Sequence, residues 1–244
     1  MKVKVIHLYP DLMNLYGEYG NVKVIERHLK DQGAEVEIVK LTTSDKIDLS
    51  KADFVYVGSG TEKNQLVCAS HLMQYKENIK EAVERGVVIL ATGNAQEFFG
   101  KHIKEVNGAK HEMLGIVDIT AQRTDYRTCL DVIYACDKID AKVTGFINKM
   151  SIIKNNKNPL FKVIFGEGMS KDETIEGYVY NNLYATYVIG PILARNPKFL
   201  RHIVELICIN KSAKFKYKDI EYPYEEKGYE MVLEELTKRL NGEK

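Results

Sequence analysis

The stretch that decides the fold reads GVVILATGNAQEFFG and occupies residues 86–100. The apolar run at residues 87–91 predicts a fully buried strand that ends at Thr92-Gly93-Asn94. Two aromatic residues and a closing glycine follow, a pattern typical of a short helix that packs back on the sheet. A strand that turns sharply into a helix presents its apex residue above the carboxyl edge of a parallel sheet, an arrangement called a nucleophile elbow. The apex residue here is Gly93, so the frame of a covalent-catalysis site has no nucleophile at its apex.

Outward from this stretch, the first hundred residues alternate between apolar strand patterns and amphipathic helix patterns. The predicted strands are residues 3–8, 36–41 and 54–57, and the predicted helices are residues 21–32, 64–75 and 76–85. Such alternation is typical of an α/β fold, with a mostly parallel sheet flanked by helices. The glycines of Gly58-Ser59-Gly60 allow a tight turn directly after the third predicted strand.

Strand patterns dominate after Gly100. They cover residues 114–119, 129–134, 143–147, 160–165 and 183–191, and we expect an antiparallel half that extends or covers the sheet. Asn196-Pro197 predicts a helix start, and a terminal amphipathic helix is predicted from residue 229 to residue 240. The basic segment 211–218 alternates like a solvated surface strand. We expect a domain over residues 1–210, with residues 211–244 forming a C-terminal extension of the same domain.

Composition limits the classes of partner. The 35 Lys and Arg residues nearly balance the 34 Asp and Glu residues, and the formal charge of +1 argues against nucleic acid as a partner. No apolar run approaches the roughly 20 residues that cross a bilayer, so membrane insertion is not expected. The four cysteines lack the spacing of metal ligands or of a redox pair, which predicts reduced structural thiols and a cytoplasmic location. We expect neither a metal nor a cofactor.

Three segments resemble the signature regions of class I glutamine amidotransferases of the cobyric-acid-synthase type. They are Gly58-Ser59-Gly60, residues 90–100, and TYVIGPILARNP at residues 186–197. The likeness runs from residue 1 to about residue 209 and is strongest to the GatD branch of the family. Members of that branch are glutaminase subunits that work with a MurT-like Mur ligase in amidating the peptide stem of lipid II. The resemblance therefore implies the amidotransferase fold and a MurT-like or related ATP-dependent synthetase subunit as the partner.

Two positions depart from the pattern of active members of this family. Without gaps, the family's nucleophilic cysteine falls on Gly93 and its histidine on Ile189. Hydrolysis of glutamine in this family passes through a thioester, which needs a thiolate for attack and an imidazole to protonate the departing ammonia. Glycine and isoleucine offer neither group. Because the loss of one member of a cooperating set can remove about a million-fold in rate, the resemblance implies that glutamine hydrolysis is lost.

Some binding features of the family have counterparts in this sequence. Backbone N–H groups near Ser59 or Gly60 and at Asn94 could form a small anion-binding concavity that resembles an oxyanion hole. Arg127 matches an arginine that contributes to the glutamine site in the GatD branch, and it is equally compatible with a surface arginine opposite Asp125.

Gln65 matches the end of the glycine-loop signature, where a position on a helix surface is equally plausible. Glutamine or glutamate is the ligand that these positions imply.

Three functional hypotheses remain open. The first is a non-catalytic subunit of a Mur-ligase-like or related amide-forming synthetase. The second is an active glutaminase that supplies ammonia for a cell-wall or cobyric-acid-type substrate, with a nucleophile elsewhere, for which Cys68 on a predicted helical face is the candidate. The third is a sensor that binds an amino acid or another carboxylate. The ungapped match on both sides of Gly93 and Ile189 favours the first hypothesis.

Overall fold

The structure, a computed structural model, describes residues 1–242 and builds them around one twelve-stranded mixed sheet. The strands are β1 (Lys2–Leu8), β2 (Glu35–Leu41), β3 (Phe54–Val57), β4 (Val88–Thr92), β5 (His102–Lys104), β6 (Lys110–Glu112), β7 (Thr120–Cys136), β8 (Ala141–Lys154), β9 (Pro159–Phe165), β10 (Ile175–Tyr180), β11 (Leu183–Thr186) and β12 (Val188–Ile189). The α-helices are α1 (Tyr19–Asp31), α2 (Glu62–Met73), α3 (Lys76–Glu84), α4 (Ile192–Arg195), α5 (Pro197–Lys211) and α6 (Pro223–Leu240).

The sheet has a parallel half and an antiparallel half. Its strand order is β12-β8-β7-β9-β10-β11-β4-β3-β1-β2, with β5 and β6 attached beside β7. The run from β11 to β2 is parallel throughout, and the long β7–β8 hairpin leads the antiparallel part. The prediction of a parallel sheet flanked by helices, with an antiparallel extension in the second half, is confirmed.

The central strands of the parallel half are apolar because helices cover them. Every residue of β3 and β4 is buried, as expected for strands in the middle of a parallel sheet. The carboxyl ends of these two neighbouring strands lie side by side, which brings the loop after β3 next to the elbow after β4. The residues of both loops are therefore presented at one edge of the sheet.

Several helix ends carry the expected capping signals. The Thr61 side chain caps α2 by accepting a hydrogen bond from the Asn64 backbone N–H at 3.1 Å. Proline opens α5, and Gly33 and Gly86, both with positive φ, follow the ends of α1 and α3. Within residues 1–242, no helix is both long enough and apolar enough to cross a bilayer.

Two of the predicted strands differ from the structure. Residues 114–119 form an irregular segment, because the N–H groups of Leu114 and Ile116 bond to the carbonyls of Phe98 and Phe99 instead of a neighbouring strand. The predicted strand 183–191 is broken into β11 and β12. The break occurs because the Glu176 carboxylate accepts the Tyr187 N–H at 2.7 Å in place of a strand neighbour.

The C-terminal segment also differs from its prediction. Residues 212–222 form a turn at residues 213–214 followed by an irregular segment, and they pair with no strand. Instead, the Gln32 side chain forms two hydrogen bonds with the backbone of Lys218, at 2.7 and 2.9 Å. The terminal helix, α6, begins at Pro223, earlier than predicted, and packs on α4, α5, β7 and β8.

Candidate functional site at the glycine elbow

The strand β4 ends in a sharp turn whose apex is Gly93. Its φ of +60° lies in the left-handed region that favours glycine. A short 3-10 helix, Gly93–Phe99, follows in place of the predicted α-helix. A Cβ atom placed on Gly93 would lie 3.0 Å from Cγ2 of Ile189. Gly93 and Ile189, which were predicted from the resemblance to stand at the nucleophile and base positions, are therefore neighbours in space, although they are far apart in the sequence.

A buried carboxylate holds the loops together beneath the elbow. Glu18 accepts hydrogen bonds from the Tyr56 hydroxyl at 2.8 Å, from the Gly190 N–H at 2.8 Å and from the Thr92 hydroxyl. Asn21 donates to the same Tyr56 hydroxyl at 2.9 Å. Burial raises the pKa of Glu18, and the hydrogen bonds from Thr92, Tyr56 and Gly190 oppose that shift. This one side chain connects the loop before α1 with the ends of β3, β4 and β12.

Asn94, directly after the apex, clamps the loop that follows β3. Its side-chain Oδ1 accepts the Gly60 N–H at 3.0 Å, and its Nδ2 donates to the Gly60 carbonyl at 2.9 Å. The Ser59 hydroxyl donates a longer bond of 3.5 Å to the same Oδ1. In this arrangement the Gly60 N–H is engaged by the protein itself.

A buried ionic cluster lies beside the elbow. The Arg123 guanidinium lies 3.2 Å from the Glu97 carboxylate, donates to the Ser151 hydroxyl at 2.6 Å and also donates to the Gln65 side-chain carbonyl. Glu97 accepts further bonds from Gln65 at 3.0 Å and from Tyr187 at 2.9 Å. Burial acts to lower the pKa of Arg123, but the attraction of Glu97, together with smaller contributions from Tyr187, Glu105 and Glu62, outweighs it and the pKa is raised. Glu97, Ser151 and Gln65 hold the guanidinium in one orientation, and Glu97 favours its charged form.

A second buried cation lies across the Tyr187 ring. Lys149 has its Nζ 5.3 Å from the ring centroid, 3.3 Å from the Glu167 carboxylate, and within hydrogen-bond distance of the carbonyls of Gly168 and Met169. Burial lowers the pKa of this ammonium, and Glu167 opposes the shift. Three acceptors surround Lys149, so its ammonium serves mainly to join β8 to the segment before β10.

Glu176 is buried next to this cation. Its carboxylate accepts the Thr186 hydroxyl at 2.6 Å and the Tyr187 N–H at 2.7 Å. Burial raises the pKa of Glu176 to about 7, against the effect of these hydrogen bonds and of Lys149. The carboxyl supports the break between β11 and β12, which brings Ile189 over the apex glycine.

An open, polar cleft of about 230 Å³ lies above these groups. It is lined by Leu15, Tyr16, Ser59, Gly60, Thr61, Glu62, Asn94, Glu97, Arg123, Arg127, Asn148, Lys149, Met150 and Tyr187. A larger groove of about 370 Å³, between α1, α5 and the segment before α6, shares none of these residues and is remote from the elbow. We therefore take the smaller cleft as the candidate site.

The mouth of the cleft is formed by a bulge in β7. Arg123 pairs with Ser151 and Thr128 pairs with Lys149, so residues 124–127 stand out of the β7–β8 ladder. Such bulges redirect side chains and are common beside functional sites. Here the bulge carries Arg127 across the cleft.

Arg127 donates to Glu62 at 2.8 Å and to Asn148 at 2.7 Å. It therefore pairs across the cleft and does not pair with Asp125. Tyr16, at φ +63°, accepts a bond from the same Asn148 side chain at 2.8 Å.

The residues predicted to bind a ligand converge on this cleft. Ser59, Gly60, Asn94 and Arg127 line it, whereas Gln65 is fully buried beneath its floor, where it orients Arg123 and Glu97. Gly93 and Ile189 are buried and do not line the cleft.

Other reactive side chains lie outside the site. Cys68 is buried, and burial raises the pKa of its thiol to about 12, which leaves it protonated. His7 is buried beside Tyr56, and burial lowers the pKa of its imidazole to about 4. Neither residue lines the cleft.

Sequence reasoning missed the buried charges Glu18, Glu97, Arg123, Lys149 and Glu176. A weak signal existed in β8, where Ile147, Lys149, Ser151 and Ile153 alternate on the buried face, so that a lysine occupies a core position. Nothing in the sequence indicated the partners of these charges, which come from other elements.

Comparison with known proteins agrees with this geometry. The chain is 26% identical over 238 residues to the GatD subunit of lipid II isoglutaminyl synthase (glutamine-hydrolyzing) from Staphylococcus aureus, covering 98% of each chain. It is 28% identical over 241 residues to the corresponding subunit from Streptococcus pneumoniae, covering 97% of this chain and 91% of that one. A solved structure of PurLQS from Thermotoga maritima shares the fold, with a TM-score of 0.55, 16% identity, and coverage of 88% of this chain and 100% of that one.

The sequence family described as the CobB/CobQ-like glutamine amidotransferase domain matches residues 4–197. This range contains the glycine loop, the elbow, the β7 bulge and β12, and thus every residue that lines the cleft. The chain belongs to the family of CobB/CobQ-like glutamine amidotransferase domains.

Proposed function

We propose that this protein is a GatD-type subunit that does not hydrolyse glutamine and acts as a non-catalytic member of a Mur-ligase-like or related amide-forming synthetase. The proposal rests on the two residues that meet at the apex of the elbow. Gly93 and Ile189, which the family resemblance aligns with the thiolate and the imidazole, are neighbours, with 3.0 Å between a Cβ on the first and Cγ2 of the second. Neither residue supplies an atom that can attack an amide or transfer a proton.

No cysteine replaces the missing nucleophile in the cleft. Cys68, Cys129, Cys136 and Cys208 are absent from its lining, and three of the four are buried. The Ser59 hydroxyl does reach the apex, but its hydrogen-bond partner is an amide oxygen of Asn94, which is not a base. Without a paired base a serine hydroxyl remains a weak nucleophile.

The first prediction is that the purified protein releases no ammonia or glutamate from glutamine above the rate measured without protein. The same result is expected with the co-purified partner present, because the missing groups belong to this chain. Ammonia release should be followed in a coupled assay, with a cysteine-dependent glutaminase as positive control. Release that disappears in Cys68→Ser would contradict the proposal and favour the active-glutaminase hypothesis.

The printed names of the two bacterial relatives describe subunits of a synthase, and their similarity covers nearly the whole chain. By analogy we infer a synthetase partner of the MurT-like Mur ligase type, a cytoplasmic location, no role for nucleic acid and no membrane insertion. Affinity purification of the tagged protein from its native host should recover a chain with Mur-ligase sequence motifs. Repeated recovery without such a chain would contradict the partner assignment.

A second candidate function is the binding of glutamine, glutamate or a related amino acid without reaction. It is favoured by the Arg127–Glu62 pair at the mouth of the cleft, whose opposite charges match the carboxylate and ammonium of an α-amino acid. Ser59, Gly60 and Asn94 provide polar walls, and Gln65 would act by positioning Arg123 and Glu97. The side chain of Arg127 is 40% exposed, so a ligand can reach it.

The proposed binding of an amino acid leads to a separate prediction. Titration calorimetry with glutamine and with glutamate should detect binding that weakens about 10- to 100-fold in Arg127→Ala, as expected for the loss of a hydrogen-bonded charge pair worth about 1.5–3 kcal/mol. Arg201→Ala is the matched control, because Arg201 also forms exposed ion pairs but lies in the other groove. Equal affinity of wild type and Arg127→Ala would contradict this function.

A further inference from the structure

The space above the apex glycine is already filled. A Cβ atom on Gly93 would lie 2.5 Å from both Cβ and Oγ of Ser59. Carbon atoms that are not bonded pack at about 3.5–4.0 Å, so this approach is a severe overlap. Ser59 comes from the loop after β3 and is 3% exposed. Its hydroxymethyl group therefore occupies the volume into which any side chain at position 93 would begin to extend.

We propose that Ser59, held in place by Asn94, seals the former nucleophile position, so that these two residues decide whether position 93 can carry a reactive side chain. The inference deepens the proposed function and rests on it for the identity of the apex position. The added claim is that Ser59 and Asn94 block access to position 93. Restoring a cysteine at position 93 and a histidine at position 189 would not restore an open site while Ser59 and Asn94 remain.

The overlap between Ser59 and a side chain at position 93 is difficult to relieve. One of the two atoms at 2.5 Å is Cβ of Ser59, which is bonded to the backbone, so a rotamer change moves Oγ but leaves the overlap with Cβ. Relief requires the loop itself to withdraw. Asn94 opposes withdrawal because its amide forms two hydrogen bonds, of 3.0 and 2.9 Å, with the backbone of Gly60, the next residue of that loop. Ile189 contributes less, because its contact of 3.0 Å is made by a side-chain methyl group.

Backbone conformation gives a competing explanation for glycine at position 93, and the chain contains a control for it. Gly17 also has a positive φ, of +74°, but a Cβ atom placed there would have no heavy atom within 4 Å. Substitution of Gly17 by alanine therefore carries the conformational cost alone. Substitution of Gly93 by alanine carries a similar conformational cost together with the overlap on Ser59.

The test is a thermal-unfolding comparison of Gly17→Ala, Gly93→Ala, Ser59→Gly and the double variant Ser59→Gly/Gly93→Ala. We expect Gly93→Ala to lower Tm by about 5 °C more than Gly17→Ala, consistent with an overpacked core position in a chain of this size. In the Ser59→Gly background, the effect of Gly93→Ala should fall to that of Gly17→Ala. Equal Tm losses from Gly93→Ala in both backgrounds would overturn the proposal.

A chemical readout of access to position 93 provides a second test, in variants whose folding is first confirmed by circular dichroism. Cys129 is the exposed native cysteine among the four, so Gly93→Cys is placed in a Cys129→Ser background. Alkylation by iodoacetamide, mapped by mass spectrometry, should proceed at least about tenfold faster at position 93 when Ser59→Gly and Asn94→Gly are added, because thiol reactivity follows access. Equal rates with and without the added substitutions would overturn the inference. Both readouts are independent of glutaminase activity, so their outcome is separate from that of the ammonia assay.

Discussion

Replacing Arg123 by methionine is expected to lower the free energy of unfolding by about 3–5 kcal/mol, because the change leaves the Glu97 carboxylate buried without its cation. Both side chains of the pair are almost completely buried, at 4% and 0% exposed. Methionine keeps an unbranched side chain of similar length but provides no donor for Glu97, Gln65 or Ser151. The measurement is urea-induced unfolding followed by far-ultraviolet circular dichroism.

Arg127→Met is the matched control for this prediction. Arg127 lies four residues further along β7 and also pairs with a glutamate, but its ion pair with Glu62 is about 40% exposed on both sides. Exposed pairs contribute about 0–1 kcal/mol, so the control should stay within about 1 kcal/mol of wild type.

Pairing Arg123→Met with Glu97→Gln should recover part of the loss, since the uncompensated charge is then removed as well. Similar losses in Arg123→Met and Arg127→Met would mean that the buried cluster does not stabilise the site.

Glu18→Ala is expected to destabilise the protein by about 3–4 kcal/mol, or about 10 °C in Tm for a chain of this size. The substitution removes the acceptor for the Gly190 N–H and the hydroxyls of Tyr56 and Thr92, and it leaves a cavity beneath the elbow. Glu18→Gln should cost much less. Its amide keeps the shape of the carboxyl group and retains an oxygen acceptor.

The pH dependence of Glu18→Gln provides a second readout. The pKa of Glu18 is raised in the folded state above its ordinary value of 4.5, so folding binds a proton as the pH rises past that value. Stability from this group is therefore fully present below pH 4.5 and is lost as the pH rises toward the raised folded pKa.

Glu18→Gln cannot titrate, and its stability relative to wild type should increase as the pH rises through this window. A difference that stays constant with pH would show that Glu18 has the same pKa in the folded and unfolded chains. Loss of stability in Glu18→Gln as large as in Glu18→Ala would contradict the role of shape and acceptor geometry.

The part of the fold that sequence reasoning predicted well is the part governed by local patterns. The elements β1, β2, β3 and β4 with their helices follow directly from apolar periodicity and from turn glycines. The predictions failed at residues 114–119 and 183–191, where apolar segments do bury their side chains but find backbone partners other than a neighbouring strand. Apolar content reports burial, whereas the hydrogen-bond partner is chosen by the tertiary fold.

The candidate site shows the same division. Local patterns and family resemblance were enough to identify Ser59, Gly60, Asn94 and Arg127, and the structure brings all four to one cleft. They did not indicate that Asn94 clamps Gly60, or that Arg127 pairs with Glu62 instead of Asp125. Such pairings join residues from different elements, so no spacing along the chain records them.

The sequence by itself determined that the elbow has a glycine at its apex and that residue 189 is an isoleucine, because residue identity is independent of conformation. Only the tertiary structure decided what occupies the space above that glycine. It placed Ser59 in the space above Gly93 and set the charges of Arg123 and Glu97 against each other beside it. The physical reason is that close packing and buried charge pairing depend on distances between separate loops, which form only when the whole sheet is assembled.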